Sequence, residues 1–155
     1  MGDSRRFDLF AGFVKGKLRS DVKVVDVAAG QGFLQLALKE KGFKNIVSFD
    51  KRKKHCGGTR RYQWFDYRTP EKFDAVVAMH PDEGTDHAVM YAVTHNVPAF
   101  ICPCCVKPDA VTYWQSSCDF QAWCHHLEKL ARDKGREVSW HQLKMQGRRD
   151  VMWIH

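Results

Sequence analysis

Val24-Val25-Asp26-Val27-Ala28-Ala29-Gly30-Gln31-Gly32-Phe33 is the stretch whose reading decides the fold. It reads as a buried strand with an acid near its end, opening onto a small-residue turn before a helix. Ala28, Ala29, Gly30 and Gly32 remove side-chain bulk, so backbone can approach a ligand closely, and glycine accepts the dihedrals that a tight strand-to-helix turn demands. One element later, Asn45-Ile46-Val47-Ser48-Phe49 reads as a second strand, ending at Asp50. An acidic residue in that place suits the two hydroxyls of a ribose. Together these features predict an adenosine-containing cofactor lying across the ends of two adjacent parallel strands.

Missing features narrow the nucleotide. A dinucleotide fingerprint needs a third glycine, so that helix and strand pack closely around a pyrophosphate. Registering the motif on Ala28 and Gly30 puts Phe33 at that position, and registering it on Gly30 and Gly32 puts Gln35 there. No glycine-rich loop ends in Lys-Ser or Lys-Thr, so a triphosphate cradle is unsupported. The remaining pattern, an acid followed by small-x-Gly-x-Gly, resembles motif I of the class I S-adenosylmethionine (SAM) methyltransferases, with Ala28 standing where that family usually has its first glycine. SAM carries a sulfonium, an ammonium and one carboxylate but no phosphate, so Asp26 and Asp50 are electrostatically compatible with it.

The chain has 155 residues, of which 44% are hydrophobic, enough for one core and too few for a nucleotide domain plus a separate substrate domain. A single domain over 1–155 is therefore expected. Neither a long apolar span nor a signal-peptide core occurs, and Arg6 departs from the myristoylation pattern, so a soluble, cytoplasmic protein is expected. The formal net charge of +7 favours an anionic partner, nucleic acid being the commonest. Lys51-Arg52-Lys53-Lys54 follows Asp50 directly, with Arg60-Arg61 and Arg148-Arg149 further on. These basic loops predict a phosphate-backbone substrate, with Lys53, Lys54, Arg60 and Arg61 as its contacts. Cys102-Pro103-Cys104-Cys105 is the dense thiol group, and Cys56, Cys118, Cys124, His125 and His126 are the other metal-ligand types. Only one compact group has zinc-like spacing, so reduced free cysteines are expected rather than a structural metal.

Along the chain, Phe7, Phe10, Val14 and Leu18 recur at helical spacing and predict a helix over 5–19, capped by Asp3 or Ser4. A strand at 23–27, a helix at 31–41 stopped by Gly42 and a strand at 45–49 follow. The basic segment 51–61 reads as a loop in place of a helix, and Tyr62-Gln63-Trp64-Phe65 as a short third strand ending at Asp66. A buried strand over 73–79 leads to His80-Pro81-Asp82-Glu83-Gly84, and Thr85 or Asp86 caps the next helix. A strand at 99–102, a long amphipathic helix at 117–134 and a hairpin of 137–143 with 151–154 close the chain. Strand and helix alternation ending in an antiparallel hairpin predicts an α/β, Rossmann-like class I methyltransferase domain with a mostly parallel seven-stranded sheet.

In an open parallel sheet the ligand lies at the carboxyl ends of the strands, where the topology reverses. Asp66 is placed there for the exocyclic amine of adenine, and His80 faces the transferred methyl group. Methyl transfer from a sulfonium is an in-line displacement, so the protein must position the nucleophile and take its proton. His80 has a suitable resting pKa, and Asp82 is expected to orient or replace it. The cofactor contacts expected are Asp26, Ala28, Gly30, Gly32, Asp50, Lys51, Asp66 and His80, with His80 and Asp82 as the catalytic pair. His80…Gly84-Thr85-Asp86 and Pro103-Cys104-Cys105 resemble the methyltransferase group that includes the tRNA 2'-O-methyltransferases of the His-x-Cys-Gly…Thr-Asp type, although Asp82-Glu83 stands in place of Cys-Gly. That resemblance implies SAM as cofactor and tRNA or rRNA as substrate, held by the basic loops or by a protein partner. The alternatives are methylation of a small molecule or protein, and a silent SAM-binding module.

Overall fold

The structure is a computed structural model that describes residues 3–52, 57–113 and 119–155. In chain order the elements are α1 (Arg6–Lys17), β1 (Lys23–Val27), α2 (Phe33–Glu40), β2 (Asn45–Phe49), β3 (Ala75–Met79), α3 (Thr85–His95), β4 (Ala99–Cys102), α4 (Phe120–Arg132), β5 (Val138–Gln142) and β6 (Asp150–Ile154). The strands form one mixed sheet in the order β2-β1-β3-β4-β6-β5. The first four are parallel, and β6 runs antiparallel to both β4 and β5.

Period-two alternation sends successive side chains to opposite faces, and helices cover both. Val24, Ala75, Val77, Met79 and Phe100 pack against Phe10 and Val14 of α1 and Leu34 and Leu38 of α2. Val25, Val27, Val76, Ala78 and Ile101 pack against Val89 and Tyr91 of α3 and Trp123 and Leu127 of α4. Full burial of one such side chain is worth about 1.5–3 kcal/mol, so the two facing cores fix which helix lies on which side. Among the described residues no helix is long and apolar enough to cross a membrane.

The sheet has six strands among the described residues, not the seven expected. Tyr62-Gln63-Trp64-Phe65 is not a strand: Arg61 makes a single bridge to Phe49, and the chain then leaves the sheet edge. The strand expected there fails physically, because Tyr62 and Trp64 are both exposed, at 63% and 53%, and so bury neither ring against the sheet. Only Phe65 turns inward, against Phe49 and Tyr91. Two caps also differ. The Asp3 carboxylate accepts from the amide of Arg5 rather than from within α1. Asp86 does not cap α3; its Oδ2 accepts the amides of Asp109, Ala110 and Val111 at 2.8, 3.0 and 3.3 Å and so pins the loop after β4. Asp119 does cap α4, accepting from the amide of Ala122.

Candidate functional site

From β1 the sheet grows outward to β2 on one side and to β3 on the other, so the topology reverses between β1 and β3. Among the described residues, three of the four non-glycine residues with positive φ sit at that edge: Ala28 (55°), His80 (52°) and Asp82 (49°). The fourth, Asn96, is the C-cap of α3. Left-handed backbone costs an ordinary residue roughly 1–2 kcal/mol, and such strain gathers where surrounding structure holds a site in shape. Ala28 is thus forced into the conformation that a glycine would adopt freely.

Two cavities flank Ala28. One of about 350 Å³ is lined by Arg6, Phe7, Gly30, Gln31, Arg52 and His80 among others. The other, about 430 Å³, is lined by Ala28, Trp64, Phe65, Asp66, Gly84 and His87 among others. Gly84 closes the turn tightly, since a Cβ there would meet Val27 Cγ1 at 2.9 Å and Ala28 Cβ at 3.1 Å.

Asp50, at the end of β2, is fully buried and lines neither cavity, and its carboxylate is fully engaged. Oδ2 accepts from the Gly30 amide at 2.7 Å and from Arg52 Nη2 at 2.8 Å, while Oδ1 accepts from the Arg52 amide at 2.8 Å and Nε at 3.1 Å. Burial works to raise its pKa, but the Arg52 guanidinium and the two amides together hold it below the usual carboxylate range. The aspartate therefore anchors the Ala28–Gly32 turn, with Arg52 lying over its carboxylate. Arg60 adds a second brace, donating to the carbonyls of Gly30 and Arg52.

Asp66 repeats the same local device. The amide, Nε and Nη2 of Arg68 donate to it at 2.9, 2.9 and 2.7 Å, and these bonds hold its pKa down at about 2. In the same cavity His87 is fixed at both ring nitrogens: Nδ1 accepts from the Tyr67 amide and Nε2 lies 2.6 Å from Asp109 Oδ2.

Asp26 is placed elsewhere. It points to the α2 face, 1% exposed, where Ser48 Oγ donates to it and Gln35 Nε2 donates to Ser48 in turn. It lines neither cavity, and desolvation raises its pKa to about 7. The expected direct cofactor contact is corrected to a buried support beneath the turn. Gly32, at φ 93°, opens α2, and Lys51 is exposed and lines neither cavity.

His80 lines the first cavity, and its Nε2 lies 2.9 Å from the Arg148 carbonyl, which can only accept. The proton is therefore on Nε2 and Nδ1 is the free acceptor. Burial pushes the ring pKa below its ordinary value. Asp82 does not orient this ring. Its Oδ1 instead accepts from Cys104 Sγ at 3.3 Å and Cys105 Sγ at 3.1 Å, with Lys107 Nζ at 3.5 Å. The expected His80–Asp82 pair is thus two separate features on one loop.

Of the expected substrate cations, Lys53 and Lys54 lie outside the described residues. Arg60 is engaged on the turn, while its guanidinium also lies over the exposed Tyr62 ring. Arg61 is tied to Glu71 through Nη2 at 2.9 Å and stacks on Phe49, so it serves the sheet edge rather than standing free.

Comparison with solved structures finds the same architecture. A ribosomal protein L11 methylase from Lactobacillus delbrueckii subsp. bulgaricus superposes with a TM-score of 0.69 at 14% identity, over 100% of this chain and 80% of that one. The sugar N-methyltransferase KedS8 from Streptoalloteichus sp. gives 0.63 at 15% identity, over 97% and 86%. CalS10, an amino pentose methyltransferase from Micromonospora echinaspora solved with SAM bound, gives 0.62 at 11%, over 97% and 92%. The chain shares the fold of these methyltransferases. No protein-family model and no curated protein sequence matches the chain.

Sequence reasoning placed Arg52 at the border of the cleft as a substrate contact, and missed Arg6, Arg68 and His87 as lining residues. Arg52 and Arg68 did carry a signal, because Asp-x-Arg occurs at Asp3-Ser4-Arg5, Asp50-Lys51-Arg52 and Asp66-Tyr67-Arg68, and each arginine folds back on its aspartate. Arg6 and His87 gave none, since only the tertiary fold brings α1 and α3 to this edge.

Proposed function

We propose that this chain binds SAM at the β1–β3 reversal and transfers its methyl group to RNA. The observation that carries the reading is the strained Ala28–Gly32 turn anchored on Asp50 at the reversal of a class I methyltransferase sheet. The residues present fit the cofactor. Asp50 is buried beneath Arg52 and becomes an acceptor for the ribose hydroxyls only when that side chain swings aside, Arg6 offers a cation to the methionine carboxylate in the smaller cavity, and Phe65 and Asp66 line the larger cavity for adenine. Bound SAM supplies an electrophilic methyl. The chain's part is to hold the acceptor in line and to take its proton, for which His80 Nδ1 is the available atom.

The RNA assignment draws support from the exposed rings of Tyr62 and Trp64, with the Arg60 guanidinium lying over Tyr62, and from the net charge of +7. Stacking of a base on such a ring is worth about 1–3 kcal/mol and tolerates any sequence, while nearby cations follow the backbone. Incubation of the protein with methyl-labelled SAM and fractionated cellular RNA tests the reading. Label should appear in RNA with an equal amount of the demethylated cofactor. Label appearing only in small molecules or protein would replace the substrate. Cofactor binding with no transfer to any fraction would leave a silent SAM-binding module.

A further inference from the structure

Beside the reversal lies a cluster that methyl transfer does not use. The parallel pairing of β3 with β4 sets Met79 opposite Cys102, so the loops leaving the two strands run side by side. Asp82 comes from the first loop, and Cys104 and Cys105 from the second. Their ligand atoms close a small triangle: 3.3 Å from Asp82 Oδ1 to Cys104 Sγ, 3.1 Å from Oδ1 to Cys105 Sγ, and 3.4 Å between the sulfurs. These ligand atoms all lie within 4.8 Å of one another, and each residue is half-buried.

The dimensions match a metal ion's coordination face. Zinc bonds thiolate at about 2.3 Å and carboxylate oxygen at about 2.0 Å in tetrahedral geometry, which sets edges of roughly 3.8 Å between sulfurs and roughly 3.5 Å from sulfur to oxygen. The observed edges are shorter by only a few tenths of an ångström, the contraction expected where S–H groups donate to the carboxylate. A slight opening of two loop side chains would admit the ion. Two sulfur donors select zinc over magnesium, calcium or manganese, and the hard carboxylate disfavours copper(I). The surrounding charge also fits. Two thiolates and one carboxylate around a divalent ion leave one net negative charge, and Lys107 Nζ at 3.5 Å and Arg52 Nη1 at 4.0 Å from the Asp82 carboxylate oxygens stand ready to balance it.

We propose that Asp82, Cys104 and Cys105 form a zinc site with three protein ligands and a fourth position open to water. Spacing in the sequence hid it, because adjacent cysteines do not make a zinc pair and the carboxylate comes from another loop. The site stands independently of methyl transfer, since zinc affinity is measured without cofactor or RNA.

The test uses the reduced, chelator-stripped protein. Zinc added in a calorimeter should bind one equivalent and release about two protons at neutral pH, as both thiols ionise. Cobalt(II) in place of zinc should give thiolate-to-metal charge-transfer absorption with the intense visible bands of a tetrahedral site. The Cys104→Ser/Cys105→Ser double variant should bind zinc at least a hundredfold more weakly, and Asp82→Asn at least tenfold. Cys56, Cys102, Cys118 and Cys124 remain in the double variant, so unchanged affinity there would assign the metal to them and overturn the proposal. Should that variant fail to fold, the intact protein still decides: cobalt binding without thiolate charge transfer, or no uptake of either metal by the fully reduced protein under argon, refutes the site.

Discussion

Replacing Arg52 by Gln should tighten cofactor binding while weakening the fold, an opposite pair of effects that follows from the geometry around Asp50. The carboxylate receives four donors, two of them from the Arg52 side chain, and a ribose diol needs those same acceptor positions. Charge-assisted hydrogen bonds contribute about 1.5–3 kcal/mol each when desolvated. The Arg52 side chain is 53% exposed, however, so solvent screening cuts the net cost of displacing it to roughly 1 kcal/mol. Arg52→Gln removes that cost, and calorimetric titration with the demethylated cofactor, S-adenosylhomocysteine, should show affinity rising about fivefold. Without ligand, the fully buried Asp50 keeps only the two amide donors, so the free variant should lose about 1–2 kcal/mol in urea unfolding. A folded Arg52→Gln protein that binds the cofactor tenfold more weakly would refute the reasoning and make Arg52 itself a cofactor contact.

Three further outcomes are expected. Asp26 has a native pKa of about 7 against an unfolded value near 4, so the native state holds the extra proton between those limits and stability falls as pH rises through the window, by at most about 4 kcal/mol; urea unfolding from pH 4 to 8 should show this slope, and Asp26→Asn should flatten it. Ala28→Gly relieves a left-handed φ of 55° and should raise stability by about 0.5–1 kcal/mol after the added unfolded-state entropy, read as a rise of a few degrees in Tm. Gly84→Ala places a methyl 2.9 Å from Val27 Cγ1, so it should cost about 1–3 kcal/mol of stability and weaken S-adenosylhomocysteine binding by displacing the Ala28 turn.

How much of this was legible in the chain depended on whether a residue's partner was local. β1 and β3 announce themselves as apolar runs, because a central parallel strand is buried on both faces. The turn after β1 was legible for the same reason, its small residues being a local requirement of backbone geometry. Tyr62-Gln63-Trp64-Phe65 misled because an aromatic run holds a strand only where its rings are packed, and Tyr62 and Trp64 stay exposed. Asp26 and Asp50 looked alike as acids at strand ends. The pleat turns one toward α2 and Ser48, whereas the other, beyond its strand, meets the Gly30 amide. Cys104 and Cys105 were legible as a compact thiol group, whereas the approach of Asp82 to them was not, since strand pairing alone brings the two loops together.

The central claim, that the reversal between β1 and β3 is a SAM site, is tested most directly by titrating the folded protein with S-adenosylhomocysteine in a calorimeter. The account predicts one site per chain, competition by SAM, no competition by NAD or ATP, and tighter binding in Arg52→Gln. Absence of binding by either SAM or its demethylated product, in wild type and in Arg52→Gln alike, would contradict it.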